Sequence, residues 1–94
     1  MTENRTKALV EQALARLYKP YGENVTDEVL EVIENTPPLL AEYRGIAEGF
    51  EDGTDSVNQN IGHFVKEVTG RRVLREGVPC ERNDLAKTYT KLVE

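Results

Sequence analysis

Few residues in this chain belong to types that perform covalent chemistry, and their spacing does not gather them. His63, Cys80 and Ser56 are each the single residue of their type. Ser56 lacks the flanking glycines of a nucleophile elbow, and Cys80 is activated only if Arg82 lies close enough to lower its pKa. A general base at His63 requires a cleft and a partner that the sequence does not specify. We therefore predict that the protein is not an enzyme.

The residue types also disfavour a bound metal or cofactor. One histidine and one cysteine cannot complete a zinc site, and residues 52–55 lack the spacing and closing glutamate of a calcium loop. Gly45, Gly49 and Gly53 recur every fourth residue, but no strand precedes them as it does in a phosphate-binding loop. We predict neither a metal nor a cofactor.

The charge of the chain changes sign in its last third. The net charge is −5, yet residues 61–94 hold seven Lys or Arg against five Asp or Glu, whereas residues 1–60 hold five against twelve. Guanidinium groups bind carboxylates and phosphates through paired hydrogen bonds. We predict a partner-binding surface made of Arg71, Arg72 and Arg75, together with Gln59, His63 and Lys66 on the preceding helix.

Two alternatives fit the same residues. Arginines at the C-terminal end of a helix stabilise its dipole, which explains Arg71 and Arg72 without a partner. A helical nucleic-acid-binding protein would place helix 56–69 in a groove of the duplex and the Arg71–Arg75 loop on phosphates. The acidic net charge disfavours nucleic acid as the partner, because non-specific phosphate binding needs a basic field.

Apolar residues recur at helical spacing through most of the chain and predict the elements that carry these side chains. We predict helices over about 5–18, 26–35, 37–50 and 56–69, and a last helix that begins after Asn83. Thr26 and Thr36 are the predicted N-caps, and Gly70 is predicted to take the left-handed conformation just after helix four. Residues 71–82 form a small hairpin or an irregular loop. The sequence thus predicts one all-α domain over residues 1–94, a compact bundle of four to five short helices.

The predicted third helix carries a stripe of small residues opposite its apolar face. Ala41, Gly45 and Gly49 lie four residues apart, and each glycine inside a helix costs about 1 kcal/mol relative to alanine. The stripe indicates close packing against a second helix or a dimer face, with sequence drift as the alternative.

The remaining features concern location and partners. A single cysteine fits a reducing compartment, the N-terminal sequence lacks the hydrophobic stretch of a signal peptide, and no apolar run is long enough for a membrane span. We predict a small acidic, cytoplasmic protein-interaction or regulatory module. Its partner is another protein or a second copy of the chain in a homodimer. The interacting surface is the acidic N-terminal half, the Arg71–Arg75 loop, or the two against each other.

Overall fold

The computed structural model describes residues 2–94, in which four helices precede a two-stranded antiparallel sheet. The helices are α1 (Thr2–Leu14), α2 (Val25–Asn35), α3 (Pro37–Ala47) and α4 (Thr54–Thr69), and the strands are β1 (Arg72–Pro79) and β2 (Thr88–Val93). Helices make up 54% and strands 15% of the chain. The prediction of an all-α bundle is therefore wrong, and the fold is α+β. None of the described helices is both long and apolar enough to cross a membrane.

The helices enclose one core because each buries an apolar stripe at helical spacing. Tyr43 of α3 is 2% exposed, and its hydroxyl donates to Oδ1 of Asn58 on α4 at 2.8 Å. Leu92 of β2 is 1% exposed and joins the same core. The apolar helical side chains with 0% exposure include Leu9, Val10, Ala13, Val25, Val29, Ile33, Val57, Ile61 and Val65.

Two of the predicted helix-end signals are confirmed. Pro37 occupies the first position of α3 after Thr36, where its missing N–H leaves no hydrogen bond unmade. Gly70 follows α4 in the left-handed conformation. Its φ is 69°, at which a residue with a side chain would be strained.

Thr26 is not an N-cap. Helix α2 begins at Val25, after Asn24, and leaves Thr26 inside the first turn. Thr26 is 3% exposed, and among the described residues its hydroxyl oxygen has no hydrogen-bond partner. A buried hydroxyl without a partner costs about 1–3 kcal/mol.

Asn83 begins a bend rather than a last helix. Its Oδ1 accepts the N–H groups of Leu85 at 2.9 Å and Ala86 at 3.0 Å, as an N-cap does. No helix follows, and residues 88–93 form β2. Threonine, tyrosine and valine in that segment favour a pleated, half-buried strand. The predicted helix is wrong because these strand-forming residues outweigh the helix-start signal at Asn83.

Residues 72–79 form one continuous strand instead of a small local hairpin, and this strand pairs with β2. The paired residues are Val73 with Leu92, Arg75 with Lys91, and Val78 with Tyr89. Between the first and second pairs, and again between the second and third, β1 contains one residue more than β2. Each extra residue is a β-bulge, which bends the strand and interrupts the regular ladder. Gly77, with a φ of 69°, lies in the second bulge.

Candidate functional site

A buried carboxylate fixes the hairpin to the helices. Asp27 of α2 is 2% exposed. Its oxygens accept the backbone N–H groups of Glu81 at 3.0 Å and Arg82 at 3.3 Å, and the side-chain amide of Asn83 at 2.7 Å. Hydrogen bonds to an ionised acceptor are about twice as strong as neutral ones. The loop between β1 and β2 is therefore held in one position on α2.

Strand β2 is the covered strand of the hairpin, and β1 is the exposed one. The N–H of Leu92 donates to the carbonyl of Glu23 at 3.0 Å, so the segment before α2 lies along the outer edge of β2. In the described part of the chain, β1 pairs only with β2. Val73 and Leu74 of β1 are 41% and 50% exposed.

A free strand edge invites pairing with another strand, and natural proteins block it with bulges and charged residues. Strand β1 contains both, since it carries two bulges and the exposed residues Arg72 and Arg75. The hairpin therefore offers a partner its side chains rather than a regular backbone edge.

Three cations and one leucine form what we call the hairpin outer surface: Arg72, Leu74, Arg75 and Lys91. Arg75 lies directly opposite Lys91, and like charges in that arrangement destabilise a sheet. Among the side chains described, those of residues 4–94, neither Arg75 nor Lys91 forms an ion pair. Arg72 donates to the backbone oxygen of Glu94 at 3.2 Å. The surface therefore has unbalanced positive charge, which a carboxylate-bearing partner would neutralise.

Arg71 is placed apart from the other two arginines. Its side chain is only 9% exposed, its Nη1 donates to the carbonyl of Gly22 at 3.2 Å, and its Nη2 lies 3.5 Å from Oε1 of Glu94. These contacts tie the start of the hairpin to the segment between α1 and α2. Arg71 therefore holds the hairpin in place and lies outside the hairpin outer surface.

The predicted residues of α4 line a groove of about 460 Å³ between α4 and the sheet. Gln59, His63 and Lys66 form its α4 wall, while Arg72 and Arg75 do not line it. The His63 side chain is 64% exposed, and its Nε2 lies 3.4 Å from Oε2 of Glu67. The six predicted partner-binding residues therefore lie in three separate places. Gln59, His63 and Lys66 line the groove. Arg72 and Arg75 lie on the hairpin outer surface, and Arg71 is covered by its contacts with Gly22 and Glu94.

Gly62 also lines the groove, in the interior of α4. A Cβ at this position would meet no atom within 4 Å. Glycine inside a helix costs roughly 0.5–1 kcal/mol relative to alanine, so we expect Gly62→Ala to raise the free energy of unfolding by that amount. Urea denaturation measures it. In Gly45→Ala, the comparison, the new Cβ would lie 3.2 Å from Nη2 of Arg5 and the gain should be smaller. A loss of stability in Gly62→Ala would contradict the expectation.

The small residues of α3 accommodate a side chain from α1. Arg5 forms two hydrogen bonds with Glu42, at 3.2 and 2.9 Å, and these hold the pKa of the Glu42 carboxyl below its ordinary value. Gly45 leaves room for this guanidinium, and Gly49 lies beyond the end of α3 at Ala47. Arg5 therefore accounts for Gly45, while a dimer face that includes Ala41 stays a prediction.

Cys80 has the environment of an unreactive thiol. Burial raises its pKa, a hydrogen bond with Asn83 opposes this, and the nearby Asp27 carboxylate raises the pKa further. Since the thiolate is the nucleophile, a raised pKa lowers reactivity at neutral pH. The hypothesis that Arg82 lowers this pKa is not supported, because Arg82 is not among the groups that perturb it.

The described residues contain no group of three or more His, Cys, Asp or Glu side chains that could hold a metal ion. No family model, curated protein or solved structure matches this chain. The fold and the surface define a small α+β domain that displays a basic hairpin, and its function is inferred from that surface.

Proposed function

We propose that this protein is a non-enzymatic interaction module that binds carboxylate-rich protein surfaces through its hairpin outer surface. The observation that carries the proposal is the Arg75–Lys91 pair, two opposed cations without a carboxylate, beside the half-exposed Leu74. Arginine next to exposed apolar side chains is typical of protein interfaces. The proposal includes a cytoplasmic location and requires no metal or cofactor.

The distribution of acidic residues favours a protein partner over nucleic acid. Glu67 lies beside His63 on α4, the helix that the nucleic-acid alternative places in a groove of the duplex. Asp55 and Glu76 line the same groove as the predicted recognition residues. A phosphate backbone that approached α4 would meet these carboxylates, which would weaken binding.

Binding of fluorescently labelled polyglutamate tests the proposal. We expect its fluorescence anisotropy to rise with protein concentration at low ionic strength. Arg75→Glu combined with Lys91→Glu should weaken binding at least about tenfold, which corresponds to about 1.4 kcal/mol. The double variant keeps like charges at opposed positions, so its stability should stay close to that of the unmodified protein.

A matched control separates this surface from the general charge of the molecule. Arg16→Glu combined with Arg44→Glu changes the net charge equally at exposed positions outside the hairpin, and it should leave binding nearly unchanged. Equal losses in the two double variants would contradict the proposal. Tighter binding to a DNA duplex than to polyglutamate would favour the nucleic-acid alternative instead.

A further inference from the structure

We infer that the carboxylate-rich surface bound by the hairpin outer surface lies on a second copy of this chain, at the turn between α3 and α4. This inference rests on the proposed function and specifies its partner. We call Glu48, Glu51 and Asp52 the acidic turn. All three are exposed.

The acidic turn has unbalanced negative charge. In the described part of the chain, none of its three carboxylates forms an ion pair. Asp52 instead accepts hydrogen bonds from the backbone N–H of Ser56 at 3.3 Å and from its hydroxyl at 2.7 Å, which fixes the turn against the start of α4. The three negative charges match in number the three cations of the hairpin outer surface.

The charges of the two surfaces do not neutralise each other within one molecule. Among the described ion pairs, none joins the hairpin outer surface to the acidic turn. The hairpin is held against α2 by Asp27 and in the core by Leu92, so it cannot move to the turn without breaking buried contacts. Their complementarity is therefore available only between molecules.

Two arrangements of such a contact are open to a molecule that carries one surface of each sign. A two-fold dimer makes the contact twice, hairpin to turn and turn to hairpin, whereas a head-to-tail arrangement makes it once per interface and continues beyond a dimer unless a ring closes. Exposed ion pairs are individually weak and are screened by salt. We expect a dissociation constant on the order of 0.1–1 mM at low ionic strength.

Light scattering on three proteins tests the inference. The unmodified chain, at concentrations up to about 1 mM, should show a mass that rises with concentration at about 30 mM salt and returns to the monomer mass of 10.6 kDa at about 500 mM. The hairpin-reversed variant (Arg75→Glu, Lys91→Glu) and the turn-reversed variant (Glu48→Lys, Glu51→Lys) should each stay monomeric. An equimolar mixture should associate, because each variant retains the surface that the other has lost.

The outcomes separate the inference from the proposed function. A monomer at both salt concentrations, or a mixture of the two variants that fails to associate although both are folded by circular dichroism, would overturn the second copy as partner. In that case, polyglutamate binding that depends on Arg75 and Lys91 would leave the proposed function standing, and its absence would overturn both. Association of the turn-reversed variant alone would also overturn the inference and would direct attention to the face that includes Ala41.

Discussion

Replacing Asp27 with alanine should lower the free energy of unfolding by about 3 kcal/mol and release the hairpin loop from α2. The Asp27 carboxylate is 2% exposed and accepts three hydrogen bonds from residues 81–83. Alanine would leave these donors without an acceptor, and each buried donor left unpaired costs about 1–3 kcal/mol. Urea denaturation gives the stability, and hydrogen exchange of the loop amides shows whether the loop opens locally.

Glu31→Ala provides the control for Asp27→Ala. Glu31 lies one turn later on α2, and its carboxylate is 3.8 Å from Nη1 of Arg82 in a largely exposed pair. Such a pair contributes about 0–1 kcal/mol, so we expect a small change. A loss of less than about 1 kcal/mol in Asp27→Ala, or an equal loss in the two variants, would show that the carboxylate does not anchor the hairpin.

Leu92→Ala should destabilise the protein by a similar amount, because it removes the apolar anchor of β2. Leu92 is 1% exposed and belongs to the core shared with the helices. Truncation of a buried leucine costs about 2–5 kcal/mol through lost transfer energy and the cavity left behind. Thermal or urea unfolding measures the change, and faster hydrogen exchange in both strands should accompany it.

Leu74→Ala makes the same chemical change on the opposite side of the hairpin. Leu74 is 50% exposed, and exposed substitutions away from special contacts usually change stability by less than about 0.5 kcal/mol. If the two leucine variants lost equal stability, the assignment of Leu92 to the core and of Leu74 to a free surface would be wrong.

The four helices were predictable because their signals are local. Apolar positions at helical spacing, Pro37 after Thr36, and Gly70 at the end of α4 all act within a few residues. The ends were less predictable. Helix α1 stops at Leu14 and α3 at Ala47, before the predicted ends at 18 and 50.

The hairpin was not predictable from local signals. Pairing of β1 with β2 joins Val73 to Leu92, so the partner of each strand lies across an eight-residue connection rather than a tight turn. A small hairpin within residues 71–82 needs a turn inside that segment, whereas Gly77 lies in a bulge of one continuous strand. The Oδ1 of Asn83 accepts two nearby N–H groups as a cap would, but no helix begins there, because this local signal does not specify the element that follows.

The candidate site was predictable only in part, for the same reason. Arg72 and Arg75 were identified from composition, but Arg71 looks equivalent in sequence and is covered in the fold. Lys91 is not among the predicted residues because the sequence predicts a helix for its segment, and only the strand register brings it opposite Arg75. Asp27 is not among them because its hydrogen-bond partners lie more than fifty residues further along the chain.

The most direct test of the account locates the bound surface on the protein. In an NMR titration of the isotope-labelled chain with polyglutamate, the amide signals of Arg72, Leu74, Arg75 and Lys91 should shift most, and added salt should reverse the shifts. Shifts concentrated on Gln59, His63 and Lys66 would instead place the binding surface in the groove along α4. That result, or a spectrum unchanged by polyglutamate at low ionic strength, would contradict the assignment of function to the hairpin outer surface.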